Sequence, residues 1–274
     1  MWYGFEKDDI FIIGVNVAAI GLTLTVLTMK LRYEKNAKWF NQIINSRLDF
    51  SLKEKRLFII NCKNYEEISG SKIIKFVKIA EKISKKYKVK IAIAPPQHLL
   101  GQISNSSLPI LAQHLDTAKV GSTTGFMVPE IVKKSKINGS LINHSEHRIS
   151  SKEISTLVAR LKKLKMISVV CVKNVAEAKK YAKLNPNYIA IEPPELIGSG
   201  RAVSKERPEL ITNAVKAVHS SKRRTKLLCG AGIVSGADVG MAIQLGSKGI
   251  LVASGIVKAK NWNKVIEEFT KQML

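Results

Sequence analysis

From Arg56 to the C terminus, apolar runs of strand length alternate with helical or turn-rich stretches eight times, and few architectures accommodate that order. The strand-like runs are "LFIIN", "KIAIA", "ILAQ", "SLIN", "ISVVCV", "YIAIE", "KLLCG" and "GILVAS". Between and after them fall Ser71–Lys86, Ser151–Lys163, Val175–Leu184, Pro208–Ser220, Ala237–Leu245 and Trp262–Met273. Gln97–Ser104 and Pro129–Lys134, after the second and third strands, have room for only a turn or two. Eight βα units in series predict an α/β fold, a parallel sheet closed into a (β/α)₈ barrel. About 220 residues is near the lower limit for such a barrel, so its loops must be economical. An open doubly wound sheet would carry a glycine-rich turn after its first strand, and "NCKNYEEISG" offers Lys and Asn instead.

The chain carries 45 Lys+Arg against 21 Asp+Glu, a net charge of +24. Such a charge attracts anions: nucleic acid, an anionic membrane surface or a phosphorylated substrate. Most of these lysines, however, are expected on solvated helix faces. In "KIIKFVKIAEKISKKYK" the apolar stripe is Ile73, Ile74, Val77, Ala80 and Ile83, and lysines fill most of the remainder. Nucleic-acid recognition patterns are absent and aromatic residues are only 6% of the chain, so no nucleic-acid partner is expected. Cys62, Cys171 and Cys229 lie far apart in apolar runs, without a C-x-x-C pair. Their odd number argues against a disulfide framework and for a reducing compartment.

Residues 1–54 read as a separate extension. "IFIIGVNVAAIGLTLTVLTM", Ile10 to Met29, is uncharged and about as long as a membrane-spanning helix. Trp2, Tyr3 and Phe5 precede it, and Tyr33 and Trp39 follow, as interfacial belts would. Glu6, Asp8 and Asp9 flank one side; Lys30, Arg32, Lys35 and Lys38 flank the other. The positive-inside rule then places everything after Lys30 in the cytoplasm, tethered to the membrane's inner face. A buried core helix, or a translation start as late as Met29, are the competing readings. Up to residue 54 the chain reads as a polar, basic linker into the barrel.

In such barrels chemistry sits at the carboxyl ends of the strands. Strand one ends in Asn61 and Lys63, strand four in His144, Ser145 and Glu146, and strand six in Glu192. Strands seven and eight end in Gly230-Ala231-Gly232 and Ala253-Ser254-Gly255, small residues that let backbone N–H groups approach a phosphate. One acid, one imidazole, one ammonium and a phosphate cradle suit abstraction of a proton next to a carbonyl. Glu192 would take the proton while His144 and Lys63 stabilise the charge developing on oxygen. No metal or other cofactor is needed: His144-x-x-His147 would have to converge from a strand end and a turn, with no third ligand nearby.

"NCKNY", "AQHLDTAKVGSTTG", "INHSEHR", "AIEPPELIGSG", "LLCGAGI" and "ILVASGIVKA" fall in the order and spacing of triosephosphate isomerase. From Arg56 onward the chain resembles the short, archaeal-type form of that family and its TIM barrel. The resemblance implies interconversion of dihydroxyacetone phosphate and glyceraldehyde 3-phosphate through an enediolate, in glycolysis and gluconeogenesis. It implies Glu192 as base, His144 as electrophile, Lys63 as the cation facing substrate, and Asn61 as a residue orienting the carbonyl region. Ser145 would hold Glu192 when it swings out, and Glu146 would pair with Lys63. Ile197 and the backbone of Gly198, Gly232, Ala253 and Ser254 would bind substrate. Pro193-Pro194 would stiffen the loop beside the base, and Gly198-Ser199-Gly200 would let it close and exclude water. Such glutamate–histidine chemistry with loop closure is a worked example in general enzymology.

The resemblance also implies self-association into dimers that pair as tetramers, with Thr124 in a loop that reaches the partner. Thr123 stands where the archaeal form usually has histidine, and His147 replaces the arginine of "HSERR". Two other readings compete. A membrane-bound scaffold built on a retired barrel would be expected to have lost Lys63, His144 or Glu192, and all are present. A phosphate-binding barrel isomerase of another substrate would need a roomier pocket than the short loops suggest.

Overall fold

The computed structural model describes residues 56–221 and 224–274. The uncharged run at 10–29 and the linker after it therefore lie outside the described residues. Among the described residues, no helix is long and apolar enough to cross a membrane.

Eight parallel strands form one sheet: β1 (Leu57–Asn61), β2 (Lys90–Ala94), β3 (Leu111–Ala112), β4 (Gly139–Ile142), β5 (Ile167–Val172), β6 (Tyr188–Ile191), β7 (Lys226–Gly230) and β8 (Gly249–Val252). Their order is β2-β1-β8-β7-β6-β5-β4-β3. A single parallel bridge between Ile93 and Ile110, with the Ile93 amide donating to Pro109 O at 3.0 Å, joins the two ends and closes the barrel. Almost every strand residue is buried, as continuous apolar runs under a helical layer require. At Gly139 the approach of β5 is so close that a Cβ would lie 2.2 Å from Ile167 O.

Nine helices cover the described barrel: α1 (Lys72–Tyr87), α2 (Pro129–Lys134), α3 (Ser151–Lys163), α4 (Val175–Ala182), α5 (Val203–Glu206), α6 (Pro208–His219), α7 (Gly236–Gln244), α8 (Ser254–Val257) and α9 (Trp262–Lys271). In α1 the buried stripe is Ile73, Phe76, Val77, Ala80 and Ile83. Ile74, expected inside, is 40% exposed, because 100° per residue puts it beyond the edge of the face that Phe76 completes. Ser150 and Glu153 form a reciprocal capping box that starts α3, and Ser235 and Asp238 do the same for α7. Each such cap stabilises by about 1 kcal/mol.

The economy expected of a short barrel falls on one quadrant. The β2–β3 connection has only a 3₁₀ turn, Gln97–Ile103, and the helix after β3 is six residues long. The short α5 and α8 were not anticipated; each is a single turn lying between a functional loop and the next full element.

Candidate active site

The carboxyl ends of the strands bring the expected side chains together. A cavity is lined by Asn61, Lys63, His144 and Glu192 on one side, and by Ile197, Gly198, Gly232, Ala253 and Ser254 on the other. Ser145 and Glu146 do not line it. Glu146 lies in an adjoining depression with Gln113, His114 and His147.

Glu192 is set by the last rung of the sheet, its amide donating to Val172 O at 2.8 Å. Its side chain is buried, with Oε2 3.8 Å from His144 Nε2 and no hydrogen-bond partner. A buried carboxylate oxygen without a partner is costly unless function uses it. Gly230, at the end of β7, makes the room: a Cβ there would fall 2.5 Å from Glu192 Cγ. Cys171, on β5, packs against the same carboxylate. Burial, then the charge of Glu192 and a hydrogen bond to it, push that thiol well above the usual range.

His144 is buried and its Nδ1 accepts from the Glu146 backbone N–H at 3.2 Å. An Nδ1 that accepts carries no proton, so the ring's proton is on Nε2, which is the nitrogen on the Glu192 side. Asn143, immediately before it, has φ 63°. Its amide bridges Cys171 O at 3.0 Å and the Ile149 amide at 3.1 Å, and so fixes the turn that delivers the imidazole.

Lys63 also has a left-handed backbone, φ 46°. Three contacts hold it there: its amide donates to Asn61 Oδ1 at 3.1 Å, its carbonyl accepts from Gln113 Nε2 at 3.0 Å, and its ammonium pairs with Glu146 at 2.6 Å. Because Asn61 uses its oxygen on Lys63, its amide N–H₂ donors are left for a ligand.

On the opposite wall the backbone comes first. Gly198 and Gly200 take φ 72° and 73°, and Ala231 and Gly232 take 69° and 70°. A Cβ on Gly232 would lie 1.8 Å from Arg201 O, so only glycine lets the 193–203 loop lie against this turn. Beyond the loop, Lys205 pairs with the buried Asp238 at 2.6 Å, and Arg207 pairs with Glu195 at 2.7 Å. Among the described residues, no group of three or more His, Cys, Asp or Glu is placed to hold a metal ion.

A sequence model of the family described as "TIM: Triosephosphate isomerase" matches residues 56–269, over three quarters of the chain. The chain belongs to the triosephosphate isomerase family. Among its relatives, the triosephosphate isomerase of Cenarchaeum symbiosum (strain A) is 56% identical over 217 residues, 79% of this chain and 97% of the relative. That of Methanothermus fervidus is 42% identical over 221 residues, 80% of this chain and all of the relative. That of Saccharolobus solfataricus is 43% identical over 219 residues, covering 80% and 96%.

Within this triosephosphate isomerase barrel the two departures from the family pattern lie outside the cavity. His147 stacks on His114, ring centroids 4.0 Å apart, and Thr123 is exposed, its hydroxyl donating to Lys119 O at 3.2 Å. Three residues that shape the site were missed from sequence, Gln113, Asn143 and Cys171, and Gly230, expected only as a small residue at the end of strand seven, also makes room for Glu192. Asn143 alone left a signal, since an asparagine before a tight turn often marks a left-handed residue.

Proposed function

We propose that the chain interconverts dihydroxyacetone phosphate and D-glyceraldehyde 3-phosphate through an enediolate, with Glu192 as the base. One observation carries the assignment of roles. The unpartnered Oε2 of Glu192 and the protonated Nε2 of His144 lie 3.8 Å apart in a cavity that Lys63 also lines. A substrate carbon placed there would lose its proton to Glu192, while His144 Nε2–H, the Lys63 ammonium and the Asn61 amide would meet the oxygen that gains charge. Glu146, bonded to Lys63, sets the direction of the ammonium. The amides of Gly198, Gly232, Ala253 and Ser254 would bind the phosphate, and Ile197 would close over it. The buried Ser145 hydroxyl has no partner. It would receive the Glu192 carboxylate when the 193–203 loop opens.

Beyond the chemistry, we read the protein as a self-associating enzyme, a homodimer or homotetramer, acting in the cytoplasm. The run at 10–29 supports a tether to the inner face of the membrane.

A coupled isomerase assay on the full chain beside Glu192→Gln tests the assignment. The expected result is wild-type turnover with both triose phosphates and a loss of about 10²–10⁴-fold in the variant, the range for removal of a general base. An inactive, folded wild-type chain would overturn the reaction, and an equally active variant would overturn the base.

A further inference from the structure

The barrel end opposite the site is free of acids along its turns. All the connections that lead from a helix into the next strand lie there, and none of them contains an Asp or Glu. Lys88, Lys136, Lys165, Lys183, Arg224 and Lys248, one from each helix-to-strand turn, are exposed. None of these six is in an ion pair among the described residues; Lys136 bonds only the neutral Asn105. Glu81 and Glu267, which reach toward this end from α1 and α9, are already engaged. Glu81 accepts from Ser106 and Ser107, and Glu267 from Lys86 and Tyr87. Carboxylates gather instead around the site, at Glu146, Glu192 and Glu195.

Helix dipoles account for lysines in the last turn of a helix, but not for this pattern. Lys88, Lys136 and Lys165 sit past their helices with φ of 55°, 64° and 55°. Glycine or asparagine is the usual choice at that left-handed position. Three turns thus place an exposed ammonium where local conformation disfavours it.

The same end is where the barrel begins. Arg56 lies beside the C terminus, its guanidinium donating to Leu274 O at 2.6 Å. The chain leading into it carries the uncharged run 10–29 and, on the barrel side of that run, Lys30, Arg32, Lys35 and Lys38. We propose that this cationic end rests on an anionic lipid surface, so that the catalytic mouth faces away from the bilayer into solution. A ring of spaced cations matches a planar array of phosphate headgroups. A nucleic-acid strand would call for aromatic stacking, but these turns contain no Phe, Trp or Tyr, and Tyr87, the last residue of α1, is half-buried and bonded to Glu267. The proposal does not require residues 10–29 to span the membrane; a span would supply proximity and leave the orientation to the lysines.

The test uses the full chain with a single label. The three native cysteines are buried and burial pushes their thiols up, so an introduced surface cysteine can be labelled selectively. Lys165→Cys reports the cationic end and Glu66→Cys the catalytic end, each carrying an environment-sensitive dye. Both are mixed with phosphatidylcholine vesicles, with or without 30% phosphatidylglycerol, containing a lipid-borne quencher. At 50 mM salt we expect strong quenching at position 165 with the anionic vesicles, at least fivefold weaker quenching at 66, and loss of the difference at 1 M salt. Equal quenching at the two positions, or quenching at 165 that ignores lipid charge, overturns the proposal while leaving a membrane span intact. A response of the 165 label to duplex DNA but not to anionic vesicles overturns it in favour of nucleic acid. Binding to neither vesicle overturns the proposal and the tether together.

Discussion

Gly230 and Glu192 stand side by side at the ends of β7 and β6, so close that a single added methyl group on the glycine would overlap the glutamate side chain. Gly230 does not take a left-handed backbone, so alanine is conformationally acceptable there. What it displaces is the carboxylate. We expect Gly230→Ala to fold normally by circular dichroism and to lose at least tenfold in kcat, about 1.4 kcal/mol of barrier. An unchanged kcat would mean that the carboxylate position seen here is not the reactive one.

Gln113 Nε2 donates to the carbonyls of Lys63 and Ala94, at 3.0 and 3.2 Å, and steadies the left-handed turn at Lys63. Losing a part-buried hydrogen bond of this kind costs about 1 kcal/mol. Gln113→Ala is expected to raise KM about tenfold with a smaller change in kcat, because the ammonium binds substrate in the ground state as well. A loss confined to kcat would reject this positioning role.

The Lys205–Asp238 pair ties the far side of the 193–203 loop to the start of α7. Burial alone would raise the Asp238 carboxyl, but the bonds from Lys205, Ser235 and the Val234 and Ser235 amides outweigh it and lower it. A carboxyl depressed in the native state stabilises the fold above its unfolded value of about 3.9, and that contribution fades as pH falls through the lower native value. Chemical denaturation of Asp238→Asn should therefore show a deficit of about 2 kcal/mol at pH 7 that shrinks in acid. A deficit independent of pH would assign the effect to packing.

Cys62, Cys171 and Cys229 are buried, and burial is the leading reason that all three thiols are raised. Iodoacetamide at pH 8 should leave all three unmodified for as long as the barrel stays folded, and label them together once it opens. Rapid labelling of Cys171 alone, monitored by mass spectrometry, would show local opening beside Glu192.

The barrel was legible from its rhythm because seven strands are buried along almost their whole length and their apolar runs are unbroken. The exception is β3, expected across Ile110–Gln113 and reduced to Leu111–Ala112. At Gln113 the backbone N–H donates to the Gln97 side chain at 3.2 Å instead of to a neighbouring strand. Asn61, Lys63, His144, Glu192 and the small residues after β7 and β8 were legible because position at a strand end implies the site, whereas Ile197 and Gly198 were expected only from the family resemblance. The packing of Cys171 and Gly230 against Glu192 was not legible, since it depends on how β5, β6 and β7 are staggered. The pairing of Val172 with Ile191 and of Ile191 with Cys229 fixes that stagger, and no single strand encodes it.

The closing bridge at Ile93 and Ile110 has a counterpart in the β1–β8 junction, where Leu57–Ile60 run alongside Gly249–Val252. The second joint unites the two extremities of the barrel's chain and carries the larger loss of chain entropy, so the dense ladder stands where cooperativity most needs it. The first joins neighbours in sequence, for which one bridge is sufficient. When the cylinder loosens, it has a built-in place to part: along β2 and β3, leaving the long-range joint, and with it the register of the other strands, intact.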